Sequence, residues 1–181
     1  MAELTDFLRN LQISEEDTEN IKKVSVIVKN YGFEIIDKVV NVLSQDEKVL
    51  GILNKNKLST QRAKELWYFW LNMLFSAEIN KEFHDKIAKI GHTHVDAGVD
   101  EVIVVETTAL FTNATISKII EMKVPDYEKI IPSVIKVFSL SLTIMLDSYR
   151  NELIESFLEF TGMKRELFEK EIEIQRRKRK S

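Results

Sequence analysis

The sequence predicts an all-α fold, and three observations carry that expectation. Apolar residues recur at steps of three and four through most of the chain. Only five glycines and two prolines interrupt 181 residues, few for a protein that turns often. Helix-capping residues also stand where the apolar series begin and end, at Ser14, Gly98 and Asp100. No repeat and no internal linker rich in Gly, Pro or Ser divides the chain.

Taken in order, Ser14 opens the first series with acids in its first turn, and Ile21, Val24, Ile27 and Val28 follow at helical spacing. Tyr31 and Gly32 are expected to break or bend the chain. A second helix then carries Ile35, Ile36, Val39, Val40 and Leu43. These residues are largely β-branched and would suit a strand, but Asp37, Lys38 and Asn41 fall between them at helical spacing. A short helical piece spans about 49–53, and a longer helix runs from about 59 to 76. The next occupies about 80–97 and ends at Gly98, whose lack of a Cβ suits a left-handed cap. Asp100 caps another, to about 122. Pro125 and Asp126 open the last long helix, with Pro132 a candidate kink and Val134, Val137, Phe138, Ile144 and Met145 on its apolar face. About seven helices result.

After Gly162 the chain changes character. A charged helix carries Leu167, Phe168, Ile172 and Ile174 and ends in the basic run Arg176 to Lys180. It reads as a solvated helix end or as a coiled-coil linker leading to an output module. The expected division is therefore residues 1–160 as one domain and 161–181 as a linker helix.

Composition narrows the chemistry. A net charge of −3 gives no global attraction to nucleic acid. The absence of cysteine excludes disulfides, iron–sulfur clusters and thiolate zinc sites. The early acids in the first turn of chain are unlike a secretory leader, and no run of about 18 uncharged apolar residues suggests a membrane span. A cytoplasmic protein is expected. No nucleophile–base pair, phosphate loop or paired carboxylates within an apolar face points to catalysis in these residues.

The three histidines, His84, His92 and His94, fall within eleven residues. On one helix His92 and His94 point about 200° apart, so they cannot share a metal. Ile87, Ile90, Gly91, His94 and Gly98 follow at steps of three and four, which places His94 on the buried face and His92 outward with Lys89 and Asp96. Gly91, one turn before His94, would clear space for a flat macrocycle. This pattern suits a core histidine satisfied by its neighbours, the commoner case, and also an iron ligand. The segment from Glu65 to Leu71 concentrates aromatic bulk, with Trp67, Trp70, Leu71 and Leu74 on one face; such a stripe is more often core than cofactor wall.

The segment Leu74–Val99 resembles the globin-coupled sensor and protoglobin family. The matching residues are Phe83, Ile90, Gly91, His94, Gly98 and Val99, without a gap. Upstream, Glu34 to Leu43 is similar to the family's B-helix stretch, and Ser14 to Asp17 fits its helix opening. Downstream, Ser139 to Tyr149 resembles the end of its last globin helix. The likeness extends over about 13–154 and is weakest between Val102 and Lys136.

The resemblance implies a globin-like fold and haem b, iron protoporphyrin IX, held by His94 as the proximal ligand. It places Val39, Val40, Leu66, Trp67, Trp70, Leu71, Ile87, Ile90, Gly91 and Gly98 around the haem. Lys86 and Lys89, one or two turns before His94, would reach its propionates or else stay solvated. The implied function is a sensor domain that binds a diatomic gas (O2, CO or NO) and dimerises through its last two helices. Signalling would pass along the linker to an output module, which could itself be an enzyme. One departure matters: the family's distal Phe-Tyr pair is Val39-Val40 here, and Leu66 stands where a polar residue is common. The hydroxyl that donates to bound oxygen is thereby missing, unless Trp67 or Tyr68 replaces it, so the distal side favours carbon monoxide or nitric oxide. Two alternatives stay open: a haem-free globin-like module for an apolar ligand or a partner, and a stand-alone protoglobin.

Overall fold

The structure, a computed structural model, describes residues 4–76 and 78–179. Lys180, the end of the basic run, and the first three residues lie outside them. Among the described residues there are eight helices and no strand: α1 (Leu4–Asn10), α2 (Glu15–Leu43), α3 (Glu47–Lys55), α4 (Thr60–Ser76), α5 (Lys81–Ala97), α6 (Glu101–Glu121), α7 (Tyr127–Thr161) and α8 (Arg165–Lys178).

The expected caps form. Ser14 and Asp17 exchange hydrogen bonds in a capping box at the start of α2. Asp100 accepts from the Val102 amide at the start of α6. Gly98 ends α5 in the left-handed region, at φ 70°. The expected break at Tyr31-Gly32 does not occur, because α2 runs unbroken through both residues. Gly32 serves packing instead: a Cβ there would lie 2.7 Å from Cε2 of Tyr68 on α4. An interior helical glycine costs about 1 kcal/mol relative to alanine, and here the close approach of α4 offsets it. Helix α7 also continues through Pro132.

The core forms where α2 crosses α4, α6 and α7, and where α7 receives α5 and α6. Val24, Val28, Ile35 and Ile36 of α2, Leu71 and Leu74 of α4, and Val134, Val137 and Phe138 of α7 are completely or almost completely buried. Aromatic edges lock this centre: Trp70 meets Phe111 at 5.3 Å and Phe138 at 5.7 Å between ring centres. Polar anchors reinforce the seams. Asp17 accepts from Ser133 at 2.8 Å and pairs with Lys136 at 2.8 Å, tying α2 to α7. Lys118, buried on α6, bonds Glu34 of α2 at 2.6 Å and Glu121 at 2.9 Å.

Helices α6 and α7 are long and apolar enough to cross a membrane by length and composition alone, although Glu106 and Lys118 in α6 and Lys136 and Asp147 in α7 interrupt any long uncharged run. Their apolar residues include Phe111, Ile119, Val134 and Ile144, which are buried within the helical bundle.

Candidate functional site

Helices α4 and α5 are neighbours in sequence, yet among the described residues they do not pack closely together. α4 rests on α2, while α5's close partner is α7. The faces of α4 and α5 left free by α2 and α7 are therefore the walls of a candidate cleft.

On the α5 wall, His94 is half-buried. Its Nδ1 lies 2.7 Å from the carbonyl oxygen of Ile90, one turn earlier. A carbonyl only accepts, so Nδ1 carries the proton and donates. Burial pushes the imidazole below its ordinary pKa, against the opposing influence of that hydrogen bond, so the ring is neutral at pH 7. Nε2 then holds a free lone pair, and no described residue bonds to it. This is the arrangement in which a histidine binds a metal, with the second nitrogen fixing tautomer and ring orientation.

On the α4 wall, Leu66, Phe69, Trp70 and Met73 follow at helical spacing. Met73 and Trp70, toward the closed end, are buried, whereas Leu66 is 46% and Phe69 62% exposed. An exposed apolar stripe on α4 and a free imidazole nitrogen on α5 are residue types that suit a flat, apolar, iron-bearing group. Phe69 was not among the residues expected from sequence. Its signal was present as the i+3 partner of Leu66, but the aromatic run around it hid which rings face inward.

Other expected pocket residues separate. Val39, Leu71 and Ile87 are core residues, almost or completely buried. Trp70 closes the inner end, its indole N–H donating to Ser141 at 3.1 Å. Val40 and Trp67 border a small cavity of about 20 Å³ with Leu43, Val49, Leu53 and Thr60. Ile90 is half-buried beside His94 and supplies the carbonyl that orients it. Tyr68 is committed elsewhere: it stacks on Phe33 at 4.5 Å and its hydroxyl donates to the Lys29 carbonyl at 3.4 Å. Lys86 pairs with Glu82 at 2.7 Å, and Lys89 is exposed.

Two expectations are corrected, at Gly91 and His92, whereas Gly98 keeps its expected role as a cap. Gly91 does not clear room in the cleft; it seats α5 on α7, where a Cβ would lie 2.5 Å from the Met145 carbonyl oxygen. Gly98 acts through its left-handed cap, and the Asn56 amide donates to the neighbouring Ala97 carbonyl at 2.9 Å. His92 is not simply solvated with Lys89 and Asp96: partly exposed, it sets Nδ1 2.7 Å from Glu152 of α7. The third histidine, His84, is buried under Phe7 of α1, with ring centres 6.5 Å apart.

The helix order, with a neutral histidine held by its own helix near the end of α5, fits a globin fold. The chain is similar in structure to the globin domain of the Geobacter sulfurreducens globin-coupled sensor, with a TM-score of 0.75 and 23% sequence identity over 83% of this chain and 99% of that one. The Protoglobin family model matches residues 1–155, and the chain belongs to that family. No match was found among curated proteins.

Proposed function

We propose that this chain is a haem-binding globin sensor domain, with haem b seated between α4 and α5 and His94 Nε2 as its proximal ligand. The observation that carries the reading is the Nδ1 hydrogen bond to Ile90, which fixes the tautomer and leaves the Nε2 lone pair free. Leu66, Phe69 and Ile90 would cover the faces of the group, and Lys86 or Lys89 would approach its propionates. When bound, the iron supplies an open coordination position for a diatomic gas. The chain's own contribution is a neutral, oriented imidazole on one side and an apolar surround on the other.

With Val39 and Val40 aliphatic and Tyr68 held by α2, the distal donor is reduced to the indole N–H of Trp67. Loss of a donor to bound oxygen costs about 1 kcal/mol or more, so carbon monoxide and nitric oxide are favoured over oxygen. Dimerisation would use the outer faces of α6 and α7, where Val102, Val105, Ile120 and Ile135 are exposed. Residues 161–181 would serve as the linker of a cytoplasmic sensor, and this domain would itself perform no catalysis.

The absorption spectrum tests the reading. The haem-reconstituted protein should give a sharp Soret band that weakens or shifts in His94→Ala. Absence of a Soret band in the wild type would transfer the assignment to a haem-free module. One observation favours that second reading: the cavity bordered by Val40 and Trp67 measures only about 20 Å³, against several hundred for a typical ligand site.

A further inference from the structure

Helix α5 presents a second face, turned from the cleft and closed against a single stripe of α7. That stripe is Met145, Ser148, Tyr149 and Glu152, at steps of three and four. Ser148 Oγ donates to the Ala88 carbonyl at 2.7 Å. Gly91 brings the two backbones together at Met145, leaving no room for a Cβ. His92 pairs with Glu152, and the Tyr149 hydroxyl donates to the Val99 carbonyl at 2.7 Å. One turn further along α7, Glu155 pairs with Arg165 at the start of α8.

We propose that this seam makes α5 and α7 move as one body, so that a displacement of His94 reaches α8 directly through α7, bypassing α6. This inference rests on the haem reading above and names its route of transmission. The bypass follows from the packing: among the described residues α5 is close to α7 and not to α6. The rigid part of the seam is the backbone approach at Gly91 and the buried Ser148 hydrogen bond. The partly exposed His92–Glu152 and Glu155–Arg165 pairs are weak alone and act by setting register. Physical coupling of this kind requires an element whose arrangement both ends bias, and the joined α5–α7 pair is that element.

Hydrogen exchange on the haem-loaded full chain, ferrous and with or without carbon monoxide, provides the test. In the wild type, carbon monoxide should change exchange in residues 153–161 and 165–178 by about threefold or more. Ser148→Ala combined with Glu152→Gln should reduce that change below about half while leaving the Soret band and carbon monoxide spectrum intact. Tyr149→Phe, which removes one hydroxyl, gives a milder version should the double variant fold poorly. A merely structural role would lower thermal stability without reducing the ligand-dependent difference. The proposal is overturned if the variants keep the full difference, or if the wild-type change is confined to α6. A wild-type protein without a Soret band removes the haem reading, and the spectrum alone reveals that before exchange is measured.

Discussion

The two walls of the cleft are built to different standards. The α5 wall is backed by α7 through an approach so close that Gly91 admits no Cβ, and through hydrogen bonds from Ser148 and Tyr149. The α4 wall is firm toward α2, where Gly32 receives Tyr68, and at Trp70, which meets Phe111, Phe138 and Ser141, but it leaves Leu66 and Phe69 exposed. α3, beside it, is held by the burial of Val49 and the Asn56–Ala97 contact. The difference teaches where rigidity is placed. The helix bearing the imidazole is fixed in orientation, whereas the exposed Leu66 and Phe69 of α4 carry no comparable lock. Preorganising a ligand atom requires locked supporting contacts, and access requires the opposite.

The comparison breaks most severely at the joint. Gly91→Val would drive two methyl groups into the Met145 carbonyl and Ser148, neither of which can withdraw without moving α7. Overpacking against backbone should destabilise the fold by about 3 kcal/mol. Thermal and urea unfolding of the haem-free protein would check this. A variant as stable as the wild type would show that α5 and α7 are not joined at Gly91.

The next effect concerns the other end of α7. Asp17 is held at a pKa of about 2: burial opposes ionisation, but the Lys136 ammonium, the Ser14 amide and hydroxyl, and the Ser133 hydroxyl together outweigh it. Its ordinary value is 3.8, so the unfolded state takes up a proton first as pH falls. The contribution is fully present above about pH 4 and is lost between there and pH 2, amounting to about 2 kcal/mol. Urea unfolding at successive pH values should show this loss, and Asp17→Asn should flatten it. An unchanged acid limb in the variant would place the sensitivity elsewhere.

These residues also mark how far the sequence could be read. Caps and apolar steps located the helices because they depend on neighbours within one turn: Ser14 with Asp17, or Gly98 after His94. The face of His94 was legible for the same reason. What Gly32 and Gly91 do was not. Each stands inside a helix because a helix distant in sequence approaches it, and a missing side chain looks the same whether it clears a bend, a cofactor or a neighbouring backbone. His92 was misplaced because its partner, Glu152, lies 60 positions away. Phe69 was overlooked because four aromatic residues in succession leave the inward face undecided until α2, α6 and α7 have claimed Tyr68, Trp67 and Trp70.

Phe69 therefore offers the finest comparison between the walls. Its ring is 62% exposed, so Phe69→Ser deletes little buried contact and should change the stability of the haem-free protein by less than about 0.5 kcal/mol. In the haem-loaded protein the ring would be covered, and losing an apolar contact of that size corresponds to about 1.5–3 kcal/mol. Haem affinity should accordingly fall about 10–100-fold, measured by transfer of haem to an apo-globin acceptor. The Soret position should hold, since His94 and Ile90 are untouched. If affinity stayed at the wild-type value, the exposed stripe of α4 would not face the haem, and the cleft would have to be drawn between α5 and a different wall.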